Sequence, residues 1–398
     1  MIRPCLNHSV VLSPISDGYV AYDTEEDRLH KLNPVASLII EMCDGNRSIN
    51  QIETLIKAAL PNGETEVVRN WIIEAINSDL LVSNNGNTNS PLSMSADQLA
   101  ELADKLREHG KIQTAYLCQK QAAELTPDNA SNWSQLGELA HIAGLREAAR
   151  ESYEHYLTIK PDDAEVQHIL VALRDDTPPP RVPDECIEQL YERFSNFYDS
   201  NLVDELDYVV PERLSEAIES VFPSRTDLKI LDMGCGTGLS GERLQPRAQR
   251  LDGIDLSANM IDQAEKRGLY DSLEVAEITV WLKEAAAISE QDERKRYDLI
   301  VACDTLIYFG DLSQVIQPAS QLLKSGGAIA FSVERCEQPG YVLTDSGRYA
   351  HHATYIKEVA LAAGLKCAVH REEFLRMEYG EEVMGHIIVL SKSTDSLD

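Results

Sequence analysis

Asp232, Gly234, Gly236, Gly238 and Asp255 are residues whose types and spacing can do chemistry, and together they read as a nucleoside-cofactor site. Lys229-Ile-Leu-Asp-Met233 is a short apolar run, the three glycines follow at alternate positions, and Leu239 to Leu244 takes up helical spacing. That order predicts a strand, a tight turn and a helix, with glycines letting backbone approach a ligand closely. A second strand, Arg250 to Ile254, ends in Asp255, about twenty residues past the first glycine, where a carboxylate accepts both hydroxyls of a ribose. The spacing is Gly-x-Gly-x-Gly rather than Gly-x-Gly-x-x-Gly. Asp232, just before the turn, repels a pyrophosphate but accepts from an ammonium group. An aminoacyl sulfonium nucleoside therefore suits the site better than a dinucleotide.

Asp255-Leu-Ser-Ala-Asn-Met-Ile261 resembles the segment that class I S-adenosylmethionine methyltransferases place around ribose and adenine. The resemblance implies S-adenosylmethionine as cofactor, with Leu256 in that segment and Met260 or Ile261 against the adenine ring. Ligands in doubly wound sheets bind outside the carboxyl ends of the strands. Glu277-Ile278 is expected to end the third strand and face the adenine amine, and Cys303-Asp304 to end the fourth. Asp304, Tyr308 and Glu334 are then expected near the methyl group.

Methyl transfer from a sulfonium is an in-line displacement, so the acceptor must be aligned. Ser346 to His352 is expected as a loop after the fifth strand, offering one fixed cation, Arg348, beside two imidazoles, His351 and His352. Arg348 suits a carboxylate acceptor, which needs no base. His351 suits an amine or hydroxyl, which does. The carboxylate is the expected acceptor.

These residues need a sheet to position them. Leu273 to Ile278, Tyr297 to Cys303, Ala328 to Val333, Lys366 to Glu372 and His386 to Ser391 bring the strands to seven, over residues 186–392. The aromatic run from Leu190 to Tyr198 is read as core rather than as a lid. Upstream, Pro127-Asp-Asn-Ala130 and Pro161-Asp-Asp-Ala164 lie one 34-residue period apart, and Trp133, Leu136, Gly137, Ala149 and Tyr153 fit the tetratricopeptide pattern. Two repeats, and a half repeat from Ala164 to Leu173 that caps them, are assigned to residues 94–176. So short an array is expected to act as a spacer or as the surface of a homodimer. Asn84 to Ser95 is read as a linker and Asp175 to Pro183 as a stiff connector.

The first 85 residues carry three short strands, near 9–12, 19–23 and 28–32, then three helices, which predicts an α+β winged-helix domain. Asn33-Pro34 opens the first helix and Ser48 to Gln51 is a capping box for the second. Leu32 to Gly45, with Ile49 and Ile52, resembles the PqqD-like peptide-recognition domain of ribosomal peptide biosynthesis. Such domains add a leader peptide beside their third strand, here Arg28 to Leu32, against the third helix, here Asn70 to Asn77. Cys235-Gly-Thr-Gly, Gly268-Leu-Tyr-Asp, Tyr308-Phe-Gly-Asp-Leu and Ser346 to His351 resemble the family of predicted methyltransferases that carry tetratricopeptide repeats. That family implies the fold, the cofactor and methyl transfer, and leaves the acceptor undefined.

A net charge of −30 disfavours binding to a phosphate backbone or an anionic membrane surface. No apolar run is long enough to cross a bilayer, and Met1-Ile-Arg-Pro-Cys5 starts no signal-like segment. Eight cysteines stand singly, without Cys-x-x-Cys pairs or histidine partners, so neither a disulfide framework nor a metal site is expected, and the cytoplasm is the expected compartment. The expectation is a multidomain methyltransferase acting on a peptide precursor. Two other readings stay open: a small-molecule methyltransferase with scaffolding N-terminal domains, and a catalytically idle peptide-binding adaptor.

Overall fold

Short apolar runs at the N-terminus become small strands. In the computed structural model, which describes residues 2–15, 18–59, 65–83, 95–108, 110, 112–194, 207–289, 292–378 and 381–394, they belong to the first of two units, 1–161 and 162–398. Strands β1 (Pro4–Leu6), β2 (Val10–Ile15), β3 (Gly18–Asp23) and β4 (Arg28–Leu32) precede helices Pro34–Met42, Ile49–Ala59 and Thr65–Asn77, and β5 (Leu81–Ser83) follows. β2, β3 and β4 form an antiparallel sheet, and β1 pairs with β5. β2 runs through Pro14, where the sequence suggested a break; β2 is an edge strand, so one missing N–H is tolerated. Asn33 Oδ1 accepts from Ala36 N at 2.9 Å, so that cap forms; at the Ser48 box the Gln51 arm forms, Ser48 N donating to Gln51 Oε1 at 2.9 Å, while Ser48 Oγ donates to the same oxygen at 3.0 Å. Ile39, Ile52, Ile72 and Leu81 fill the core.

Helices Ala96–Glu108, Ile112–Leu125, Ala130–Ile142 and Arg146–Ile159 complete this unit, and the linker segment 84–94 lies outside the described residues. Asn129 caps the third of these helices through Ser131 N. Gly137 is required by packing, since a Cβ there would lie 2.5 Å from the Tyr153 ring. The helix Ala164–Leu173, expected to cap the repeats, packs as part of the second unit instead. Its Ala164 N donates to Gln189 Oε1 at 3.0 Å, and His168 Nε2 donates to the Gly347 carbonyl at 3.0 Å.

The second unit is an α/β fold around a mixed sheet. Strands β6 (Leu228–Met233), β7 (Ala248–Asp255), β8 (Ser272–Val275), β9 (Tyr297–Ala302), β10 (Leu323–Arg335), β11 (Tyr341–Leu343), β12 (Tyr349–His351), β13 (Leu365–Glu378) and β14 (Glu381–Lys392) make it. The seven long-range neighbours run β8-β7-β6-β9-β10-β14-β13, the first five parallel and β14 antiparallel to both of its partners. Leu299 and Val301 enter the core on one face, Ile300 and Ala302 that on the other, so the centre is buried on both sides. The chain leaves β6 to one side and returns to β9 on the other, which makes the carboxyl ends of β6 and β9 the switch point.

Two elements differ from expectation in ways that matter. Ser346 to His352 is not a free loop: β12 pairs with the end of β10, where Glu334 opposes Ala350 beyond the last residue of β9. Asp175 to Pro183 is not a free connector either. Gly310 N and Asp311 N both donate to Pro180 O at 2.9 Å, and Val182 N donates to Tyr308 O at 2.8 Å. Prolines donate no backbone hydrogen bond but accept well, so this run lies along the segment after β9. Among the described residues no helix is long and apolar enough to cross a membrane.

Gly137→Ala must displace Tyr153 and should cost about 1–3 kcal/mol, the usual penalty for overpacking. Denaturant unfolding of the full chain measures this, and an unchanged midpoint would contradict the close crossing of the two helices.

Candidate functional site

Gly234 and Gly236 follow β6 with φ of +68° and +55°, a conformation side chains rarely adopt. Their reasons differ. A Cβ on Gly234 would lie 2.4 Å from Thr305 Cγ2, so Gly234 is fixed by packing; a Cβ on Gly236 meets nothing within 4 Å, so its face is open to a ligand. Gly238 caps the helix Leu239–Leu244, where a Cβ would press on Arg267 at 3.1 Å and on Tyr270 at 3.2 Å.

Gly234 and Gly236 open onto a cleft lined also by Asp255, Leu256, Met260, Glu277, Ile278, Cys303, Asp304 and Tyr308. Asp255, at the end of β7, is buried and holds the turn: Oδ2 accepts from Gly236 N at 2.8 Å and Oδ1 from Ser257 N at 2.9 Å. Burial raises its pKa against those hydrogen bonds. Asp232 is wholly buried; its Oδ2 accepts from Ser240 Oγ at 2.6 Å and Tyr270 OH at 2.8 Å, while Oδ1 has no partner. Burial pushes this carboxyl up to about 6. A buried, unpartnered carboxylate oxygen under a glycine turn fits the ammonium of an aminoacyl nucleoside.

Glu277 does not end a strand. β8 stops at Val275, Ile278 begins the helix Ile278–Ser289, and the Glu277 carboxylate caps that helix through Thr279 N at 2.9 Å and Val280 N at 2.8 Å. Capping and cleft lining coincide because a strand end and a helix start meet there. Cys303 packs against Tyr208, its Sγ 3.4 Å from the phenol oxygen, and burial keeps the thiol protonated.

On the acceptor side the decisive residue is one that sequence reasoning missed. Arg376, near the end of β13 and only 2% exposed, donates from Nη1 to both Asp304 oxygens at 3.3 and 3.1 Å and from Nη2 to Glu334, and lies 3.5 Å from Glu378. Asp304 has a φ of +54°, which turns the chain off β9, and its N donates to Ser332 Oγ at 2.9 Å. Burial raises the Glu334 carboxyl, opposed by the guanidinium. Tyr308 is buried with its hydroxyl 2.8 Å from that of Tyr191. Tyr191 packs partly buried against the core, as expected, and also lines the cleft with Asp184 and Ile187 of the helix Asp184–Phe194; residues 195–198 of that aromatic run lie outside the described residues.

Arg348 and His351 do not stand where the sequence suggested. The Arg348 guanidinium is engaged by Glu378, so it is not an open fork for an acceptor carboxylate. His351 is fully buried and donates Nε2–H to the carbonyls of Phe309 at 2.8 Å and Gly310 at 3.2 Å. Burial holds its pKa near 4, so the ring is neutral and serves to hold the segment after β9 rather than to take a proton from an acceptor. His352 caps the helix Ala353–Ala362 through Thr354 N. No pattern in the sequence marked Arg376 or Glu378, because the expected strand stopped at Glu372, whereas β13 runs on to Glu378.

A methyltransferase-domain model matches residues 231–329. Residues 231–329 of the C-terminal unit are an S-adenosylmethionine-dependent methyltransferase domain. A model of the coenzyme PQQ synthesis protein D matches residues 18–78. Among curated relatives, the ubiquinone biosynthesis O-methyltransferase of Pasteurella multocida is 31% identical over 112 residues, covering 27% of this chain and 46% of that protein. The malonyl-[acyl-carrier protein] O-methyltransferase of Acetivibrio thermocellus is 34% identical over 111 residues, covering 27% and 36%. The chain thus spans half or less of these relatives. Of solved structures, magnesium protoporphyrin IX methyltransferase from Synechocystis with bound S-adenosylhomocysteine overlays at 14% identity and a TM-score of 0.41, over 53% of this chain and all of that one. At that level the likeness adds nothing to the sheet order described above.

If Asp232 receives the cofactor's ammonium, binding must lower its pKa from about 6. Calorimetry with S-adenosylhomocysteine in buffers of different ionisation heat should therefore show release of about half a proton at pH 6 and almost none at pH 8. Asp232→Asn should abolish the release; a wild-type protein with no buffer dependence at pH 6 would contradict the assignment.

Proposed function

We propose that this chain uses S-adenosylmethionine to methylate a ribosomally made peptide precursor. Residues 1–85 would recognise its leader, residues 94–161 would act as a spacer or dimer surface, and residues 186–392 would carry the chemistry. The observation that carries the reading is an open sheet edge in the segment matched by the PqqD model. β4 pairs only with β3 among the described residues, and Leu29 on it and Ile73 on the helix Thr65–Asn77 are exposed apolar side chains. An added peptide strand takes its affinity from backbone hydrogen bonds along such an edge and its specificity from side chains beside it.

The roles proposed within the methyltransferase domain follow the geometry. Asp255 receives the ribose hydroxyls through lone pairs its backbone partners leave free, Asp232 the ammonium, and Leu256, Met260 and Ile278 the adenine. Bound S-adenosylmethionine supplies an electrophilic methyl group. Asp304 and Tyr308 line the cleft where the acceptor would enter. Two guanidiniums, Arg348 and Arg376, face three carboxylates, Asp304, Glu334 and Glu378, so the cluster has no spare positive charge for an anionic acceptor. We therefore propose a hydroxyl or amine acceptor in place of the carboxylate expected from sequence. Asp304, which lines that cleft, would stabilise the positive charge that develops as the methyl arrives and accept the proton the nucleophile gives up.

The relatives' names favour a second reading, a small-molecule O-methyltransferase. Leu29→Asp and Ile73→Asp separate the two. Each should lower kcat/KM for a full-length precursor at least tenfold while leaving S-adenosylhomocysteine affinity unchanged. Turnover of a precursor encoded beside the gene checks this, and undiminished turnover in both variants would favour the small-molecule reading.

A further inference from the structure

β13 and β14 form a long antiparallel hairpin at the sheet edge, and one face of it carries His370, Glu372 and His386. His370 and Glu372 are two residues apart on one strand, so they share a face, and Glu372 sits directly opposite His386. One potential ligand atom from each lies within 4.8 Å of the others. His370 Nε2 and His386 Nδ1 are 3.1 Å apart, with ring centroids at 4.9 Å and planes at 63°.

We propose that His370, Glu372 and His386 bind a first-row divalent transition metal. Two imidazoles and one carboxylate on one face, with the remaining positions open to water, are donors suited to zinc, nickel or cobalt rather than calcium or magnesium. A metal about 2.0–2.1 Å from each of the two nitrogens would subtend an angle of roughly 98°, which fits adjacent positions of a five- or six-coordinate ion.

His386 is only 1% exposed, which fixes its ring, and it is Nδ1 that faces His370 and would bind the ion. Its Nε2 would then carry the proton, on the side of the ring away from the metal, where the backbone of His351 acts on the imidazole. Glu372 is exposed and His370 half-buried, which leaves a path for an ion to enter. Arg335 Nη1 holds Glu372 Oε2 at 3.1 Å and also pairs with Glu337, while Lys357 acts on His370 from the adjoining helix. Glu372 Oε1 is the oxygen left for the metal. Bound there, the ion would tie β13 to β14 a few residues before Arg376, linking metal occupancy to the rigidity of the acceptor side.

The test is titration of the full-length, tag-free, chelator-treated protein with cobalt(II), followed by visible absorption, and with zinc(II) by calorimetry. The wild type should take up one equivalent of each and unfold at a higher temperature when loaded. His370→Gln and Glu372→Gln change residues outside the core and should keep the wild-type unfolding transition in the absence of metal. Each should weaken the affinity at least tenfold and lose the thermal shift. No uptake by the wild type, or uptake of equal affinity in both variants, would overturn the proposal, the second by locating the ion elsewhere on the chain.

Discussion

A guanidinium that is 2% exposed cannot stand without anions, and Arg376 gathers them from three strands. Asp304 comes from the end of β9, Glu334 from β10 and Glu378 from β13 itself, with Glu378 passing the constraint to Arg348 beside β12. Breaking a buried pair of this kind by removing one partner typically costs about 3–5 kcal/mol, because the charge left behind has no water. The cluster therefore fixes how far the strand ends splay. It sets the left-handed turn at Asp304 and, through it, the course of the segment that carries Tyr308. His351 holds the same segment from the other side by its carbonyls, and Pro180 by its backbone amides.

The cofactor side works by the same economy of groups. Asp255 orders the glycine turn through Gly236 N and the start of the next helix through Ser257 N before any ribose is considered. Asp232 is held by Ser240 and Tyr270 on one oxygen and keeps the other unpartnered. Residues that a motif marks as ligand-binding are thus also the ones that shape the loop. Removing Asp255 would change cofactor affinity through loop geometry as well as through lost hydroxyl contacts.

What could be read in the sequence was what local pattern encodes. The glycine turn, the apolar runs of its flanking strands and the cap at Asn33 are encoded within a few residues, and they form as expected. Most of the misses were long-range, Glu277 being the local one. Glu277 looked like a strand end because its helix cap is a side-chain feature, and Arg348 looked available because Glu378 is thirty positions away. His351 looked like a base because nothing local shows that β12 buries it beneath Phe309 and Gly310. Asp175 to Pro183 looked like a spacer because a proline-rich run gives no hint of which amides its carbonyls will meet. The pairing of β1 with β5 involves three-residue strands too short to carry an alternation.

Charge is what distinguishes the proposed acceptor from its alternative. Three carboxylates around two guanidiniums leave no cation of that cluster free for an anionic nucleophile, Arg181 of the cleft wall is held by Asp184 and Glu277, and Asp304 lines the cleft beside Tyr308. The most direct measurement is the alkali stability of the product formed by the full chain from methyl-labelled S-adenosylmethionine and its precursor peptide. The account predicts a label retained on oxygen or nitrogen after mild base. Release of the label as methanol would show a carboxyl ester, and would contradict it.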